Sequence, residues 1–135
     1  MTSLIDIQEE LTGNIKFQVT PIPMVDSDYA SFTLQGVKRL YIDEGIEDNF
    51  LIDYDKVNNT LVRTLTLTEQ EYACTCAEIA FREQIKDDVN AIIGYSTNAL
   101  SITGANTPFK NLQGTIASLE LRLAKLAFKF THKAV

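Results

Sequence analysis

The sequence predicts a mainly α fold: a small bundle of three to four helices, with room for a short β-hairpin near residues 50–67 and an extended C-terminal tail. Three observations predict it. Apolar residues recur at spacings of three and four in four separate stretches, strand-like alternation is confined to short segments, and a reciprocal helix-capping pattern precedes the longest apolar stretch. The chain has 135 residues, 45% of them apolar and 22% charged, which is the size and usage of one globular domain. We place that domain at residues 1–127 and the tail at 128–135.

The first helix is SLIDIQEELT, residues 3–12, where Leu4, Ile7 and Leu11 share a face and Gly13 with Asn14 supplies a stop. Residues 16–24, KFQVTPIPM, read as a connector because Pro21 and Pro23 exclude both helix and central strand. Asp26 or Ser27 is placed to cap the second helix, whose face carries Tyr29, Phe32, Gly36, Val37, Leu40 and Tyr41 up to Gly45. Gly36 costs that helix about 1 kcal/mol relative to alanine, so it marks a close packing contact.

Residues 43–55 then collect Asp43, Glu44, Glu47, Asp48, Asp53 and Asp55. Clustered carboxylates are what calcium requires, but a ligand loop starting at Asp53 would place Val57 at its third ligand position and lacks the turn glycine. A solvated or partner-facing acidic surface is the better reading. Through residues 50–67, Asn58-Asn59 offers a turn, and the segment fits either a small hairpin or an extended loop packed on the helices.

The third helix has the clearest start. Thr68 and Glu71 form a capping box, with Leu67 and Tyr72 in the positions of a hydrophobic staple, and a broad apolar stripe runs to Ile93 before Gly94 stops it. Residues 94–108 carry no charge and are rich in Gly, Ser, Thr and Asn, as a loop would be. Thr107 can cap the last helix, with Pro108 at its first position. There Leu112, Ile116, Leu119, Leu123 and Leu126 form a coiled-coil-like seam, and Gly114, Ala117, Leu121, Ala124 and Ala127 lie on other faces, small enough for close packing. From Phe128 the pattern changes to alternation through Phe130, His132 and Ala134. A terminal strand or extended tail fits this better than more helix, although helix through Phe130 is the other course.

Charge is unevenly placed. The net charge is −6, but from Phe109 onward five basic residues and Glu120 give +4, leaving −10 on residues 1–108. An acidic body with a basic end is able to attract copies of itself or an acidic partner.

Little in the sequence points to catalysis, and we expect no enzyme, no cofactor and no metal. His132 is the one histidine, the six glycines are isolated, and no nucleophile-elbow pattern occurs. Cys74 and Cys76 point roughly 200° apart on a helix, so they neither bridge nor share a metal and read as buried hydrophobes of a reducing compartment. No apolar run reaches transmembrane length, and Met1–Asn14 lacks the basic region of a signal peptide, so a soluble product made in the cytoplasm is expected. The residues with most to offer a partner are Arg122, Lys125, Phe128, Lys129, Phe130, His132 and Lys133 on the basic end. Arg122, Lys125 and Lys129 share a helix face, which also admits a DNA-associated regulatory protein as an alternative.

The succession LYIDEGIEDNF, LTLTEQEYACTCAEIAFREQI, an uncharged loop, and NTPFKNLQGTIASLELRLAKLAFKF resembles the head-tail connector (adaptor, head-completion) proteins of tailed bacteriophages over residues 26–130. In that family a core helix opening with an LTxEE-like phrase is followed by a variable loop and a last helix introduced by a phrase such as FKxxSxANxLKxL. Thr107 to Leu112 occupies that place here, matching in pattern and not in letter. The resemblance implies a virion protein at the neck, a bundle subunit that assembles as a ring, commonly twelvefold, beneath the portal. The ring would extend the channel for double-stranded DNA and dock the next neck or tail protein. It also implies that the tail adds a strand to the portal's edge, with Phe128 and Phe130 in pockets. Another neck or tail-completion subunit is the nearest alternative.

Overall fold

The computed structural model describes residues 1–15, 24–96 and 106–133, and the side chains of these except 88–96, 106–112 and 129–133. The chain runs β1 (Thr2–Ser3), α1 (Leu4–Ile15), α2 (Asp26–Asp43), a 3-10 turn (Glu47–Asn49), α3 (Phe50–Asp53), β2 (Tyr54–Asp55), β3 (Thr60–Leu61), α4 (Leu67–Ser96) and α5 (Asn106–Lys133). It is a mainly helical fold with a small three-stranded antiparallel sheet.

Helix α4 is the hub, and α1, α2 and α5 all pack on it. Every residue from Tyr72 to Ile79 is buried, Thr75 and Glu78 included, because a helix covered on three sides has no solvent face left at that level. Phe81 continues the core, meeting Phe32 edge-on at 5.8 Å between ring centroids and Tyr29 at 6.1 Å. Gly36 makes the α2 to α4 crossing possible: a Cβ there would stand 2.3 Å from the Ala73 carbonyl oxygen and 2.9 Å from the Ala77 Cβ. The close contact read from the sequence is therefore present.

The segment 50–67 takes the hairpin course. Tyr54 faces Leu61 and Asp55 faces Thr60, and β1 adds on the other side with Thr2 opposite Leu61, giving the order β1-β3-β2. Asp55 builds the turn, accepting hydrogen bonds from the Val57 and Asn58 backbone and from the Asn58 amide, and Asn59 takes the left-handed conformation (φ 55°) that asparagine tolerates. The third strand has no signal in the sequence. It is held by Thr2, whose hydroxyl donates to the Arg63 carbonyl and accepts from the Leu65 N–H.

Several element ends differ from expectation. Helix α1 passes Gly13 and Asn14 because one more residue buries Ile15. Helix α2 is preceded by Val25, not capped by Asp26 or Ser27; Asp28 instead accepts the Val25 N–H at 2.9 Å. Helix α4 begins two residues early, with Thr66 and Glu69 as the capping box and not Thr68 and Glu71: the Glu69 carboxylate accepts the Thr66 N–H at 3.0 Å and the Thr66 hydroxyl accepts the Glu69 N–H at 3.2 Å. The two frames differ in which leucine they bury. The observed one leaves Leu65 3% exposed and Leu67 73% exposed, so the staple expected of Leu67 is absent. The helix also runs through Gly94 to Ser96, since an isolated glycine slows but does not stop a helix that is already formed.

Helix α5 already contains Asn106, so Thr107 is not its cap, and Pro108 still sits in the first turn, where its missing N–H has no intrahelical partner. It continues to Lys133. Residues 128–133 thus follow the helical course and not the strand or extended tail that the alternation favoured, because lengthening a formed helix carries no nucleation cost. Residues 134–135, residues 16–23 of the expected connector and residues 97–105 of the expected loop lie outside the described residues.

Candidate functional site

Two surfaces and one half-buried cluster hold the residues with chemistry to offer. The half-buried cluster joins the end of α2, the segment after β3 and the start of α4. Arg63 donates to Glu44 at 2.8 Å and also to Glu69, and its guanidinium lies 5.5 Å from the centre of the Tyr41 ring. One cation thus serves two carboxylates. Burial, with the Glu69 carboxylate beside it, pushes Glu44 up to about 7 against the pull of Arg63. Burial acts the same way on Glu69, but its hydrogen-bond partners, Thr66 among them, and the Arg63 charge outweigh it and hold that group below the usual carboxylate range. Close by, the Tyr41 hydroxyl donates to Asp53 at 3.0 Å and the Tyr72 hydroxyl donates to Asp43. These bonds tie the acidic segment to the bundle.

Most of the acidic stretch is therefore structural. Asp43, Glu44, Asp53 and Asp55 are spent on partners inside the molecule, whereas Glu47 and Asp48 are exposed. One turn after those two acids Leu51 and Ile52 are exposed, with Leu51 84% accessible, and Ile42 at the end of α2 and Val57 in the hairpin turn are exposed as well. Helix α3 is one turn long and turns Phe50 inward, where it stacks on Tyr54 at 5.3 Å and meets Tyr41 edge-on at 5.5 Å. With the core side filled by Phe50, Leu51 and Ile52 have only solvent to face. The sequence reading missed this patch, because apolar residues with no helical or strand period look like filler between acids. The available signal was the adjacent pair Leu51-Ile52 inside an otherwise charged loop.

The second surface is α5. Over the described side chains its inner seam is as the spacing predicts: Leu119, Leu123 and Leu126 are buried and Ile116 packs against the core, while the side chain of Leu112 lies outside the described residues. Its outer side holds Gly114, Ala117, Leu121, Ala124 and Phe128 at spacings of three, four, three and four, all exposed, with Leu121 60% accessible. Arg122 and Lys125 are exposed one turn apart beside this stripe. On the opposite flank Glu120 is held by Arg39 of α2 at 3.1 Å. Of the seven residues singled out from the sequence, the structure brings Arg122, Lys125 and Phe128 to one exposed stretch of helix. Lys129, Phe130, His132 and Lys133 follow on the same helix, and their side chains lie outside the described residues.

Cys74 and Cys76 are buried, which pushes both thiols up to about 12 and keeps them protonated and unreactive at neutral pH. Among the described residues no group of His, Cys, Asp and Glu is arranged to hold a metal, and no helix is long and apolar enough to cross a membrane. Comparison of the chain with known protein families, curated proteins and solved structures finds no match.

Proposed function

We propose that the chain is a structural virion subunit, a head-tail connector that assembles as a ring between a portal and the neck or tail and extends the channel through which DNA passes. The observation that carries this reading is the polarity of the molecule: an exposed corner that is acidic and apolar, and an exposed helix face that is basic and apolar. Surfaces of that composition are made to be covered by protein, since apolar residues drive association and the charges choose the partner. The resemblance of residues 26–130 to the connector family supplies the biological setting. In that setting the subunit works by position and not by chemistry.

The test is a sedimentation and native-mass measurement of the purified chain, alone and mixed with the portal protein encoded in the same genome. Ring-sized species are expected in the mixture. A persistent monomer beside portal overturns the reading. If α5 instead serves a DNA-associated regulator, affinity for duplex DNA is measurable and falls steeply with salt as Arg122 and Lys125 release counterions, and that outcome replaces the connector reading.

A further inference from the structure

We propose that copies of this chain join head to tail, the outer face of α5 on one copy covering the acidic corner of the next. The inference rests on the self-assembly in the reading above and assigns the two surfaces that carry it. On α5 the contact comprises Ala117, Leu121, Ala124 and Phe128 with Arg122 and Lys125 beside them; on the neighbour it comprises Ile42, Leu51 and Ile52 with Glu47 and Asp48.

The choice of occupant is decided by charge. Pairing α5 with α5 would bring together two helices that each carry five basic residues and one acid beyond residue 108, and like charges across an interface oppose association. Pairing corner with corner would set Glu47 and Asp48 against their own copies. Of these three pairings, the mixed one places apolar on apolar and basic on acidic at once. The small residues Gly114, Ala117 and Ala124 also let a neighbour approach the α5 backbone closely, with Leu121 and Phe128 as the large side chains of the face. Two different faces of one subunit then meet, so the contact propagates and closes into a ring if the rotation per subunit permits.

Cysteine cross-linking tests this directly, because the native thiols are buried and protonated. Leu121→Cys and Leu51→Cys both lie on exposed positions and leave the core intact. Under an added oxidant, the doubly substituted chain is expected to give a ladder of linked oligomers, and an equimolar mixture of the two single variants a linked pair. Each single variant alone stays unlinked. Linked dimers from Leu121→Cys alone would mean that α5 pairs with itself and would overturn the proposal. Absence of links while the wild-type chain assembles would overturn the surface assignment and leave the connector reading standing. A wild-type chain that remains monomeric even beside portal would remove both. As a second measurement, Arg122→Glu with Lys125→Glu is expected to weaken association at least about tenfold, and Glu47→Lys with Asp48→Lys in the partner copy to restore it. Loss without restoration would show that the charges act inside the subunit and would also refute the pairing.

Discussion

Replacing Gly36 by alanine sets two effects of known sign against each other. In an open helix position the substitution stabilises by about 1 kcal/mol, because alanine loses less backbone freedom on folding. At Gly36 the new Cβ would meet the Ala73 carbonyl oxygen at 2.3 Å and the Ala77 nitrogen at 2.8 Å, both backbone atoms of α4 that no rotamer change can move. Relief requires α2 and α4 to separate by roughly 1 Å along their shared interface. Overpacking of this kind costs about 3 kcal/mol at its upper end, so the net loss is about 2 kcal/mol after the helix gain. With a urea slope of about 2 kcal/mol/M, the unfolding midpoint should fall by about 1 M. Urea titration followed by far-ultraviolet circular dichroism measures it. Gly13→Ala is the matched control, since nothing lies within 4 Å of a Cβ at that helical position, and it should raise stability. If Gly36→Ala raises the midpoint as Gly13→Ala does, α2 does not cross α4 at Gly36.

Thr66→Ala should cost about 1 kcal/mol and Thr68→Ala close to nothing in the same titration, because only Thr66 caps α4. Glu44→Gln should stabilise the fold at pH 8, with the gain shrinking as pH falls from about 7 towards 4.5, read by urea titration at each pH. The sign follows from a carboxyl whose folded pKa lies above its unfolded one: the folded state holds the proton between the two values, so ionisation above them burdens only the native chain. A flat pH dependence of the difference would refute the role given to burial. Leu123→Ala should cost about 2–5 kcal/mol and Leu121→Ala almost nothing for the isolated subunit, measured by thermal unfolding at low protein concentration.

How much of this was legible in the sequence follows from the range of each interaction. The inner seam of α5 and the stripe of α1 are local repeats, and Leu119, Leu123, Leu126, Leu4, Ile7 and Leu11 stand where spacing put them. The capping box of α4 is local too, yet the sequence holds two overlapping T-x-x-E phrases two residues apart, and nothing local separates them. What separates them is distant: Thr2 anchors the Leu65 N–H, Leu65 is drawn into the core, and Arg63 collects Glu69 together with Glu44 from the end of α2. That same arginine, an unremarked residue in an ambiguous stretch, proves to organise the junction, because its partners lie 19 residues before it and 6 after it. The candidate surfaces divide in the same way. The basic residues of α5 were readable from charge and period, but the exposure of Leu51 and Ile52 depends on Phe50 taking the inward place in a helix too short to show a period. The acidic segment that looked like a single solvated run is therefore two things: Asp43, Glu44, Asp53 and Asp55 hold the fold, and Glu47 and Asp48, with the leucine and isoleucine beside them, are left turned outward to solvent.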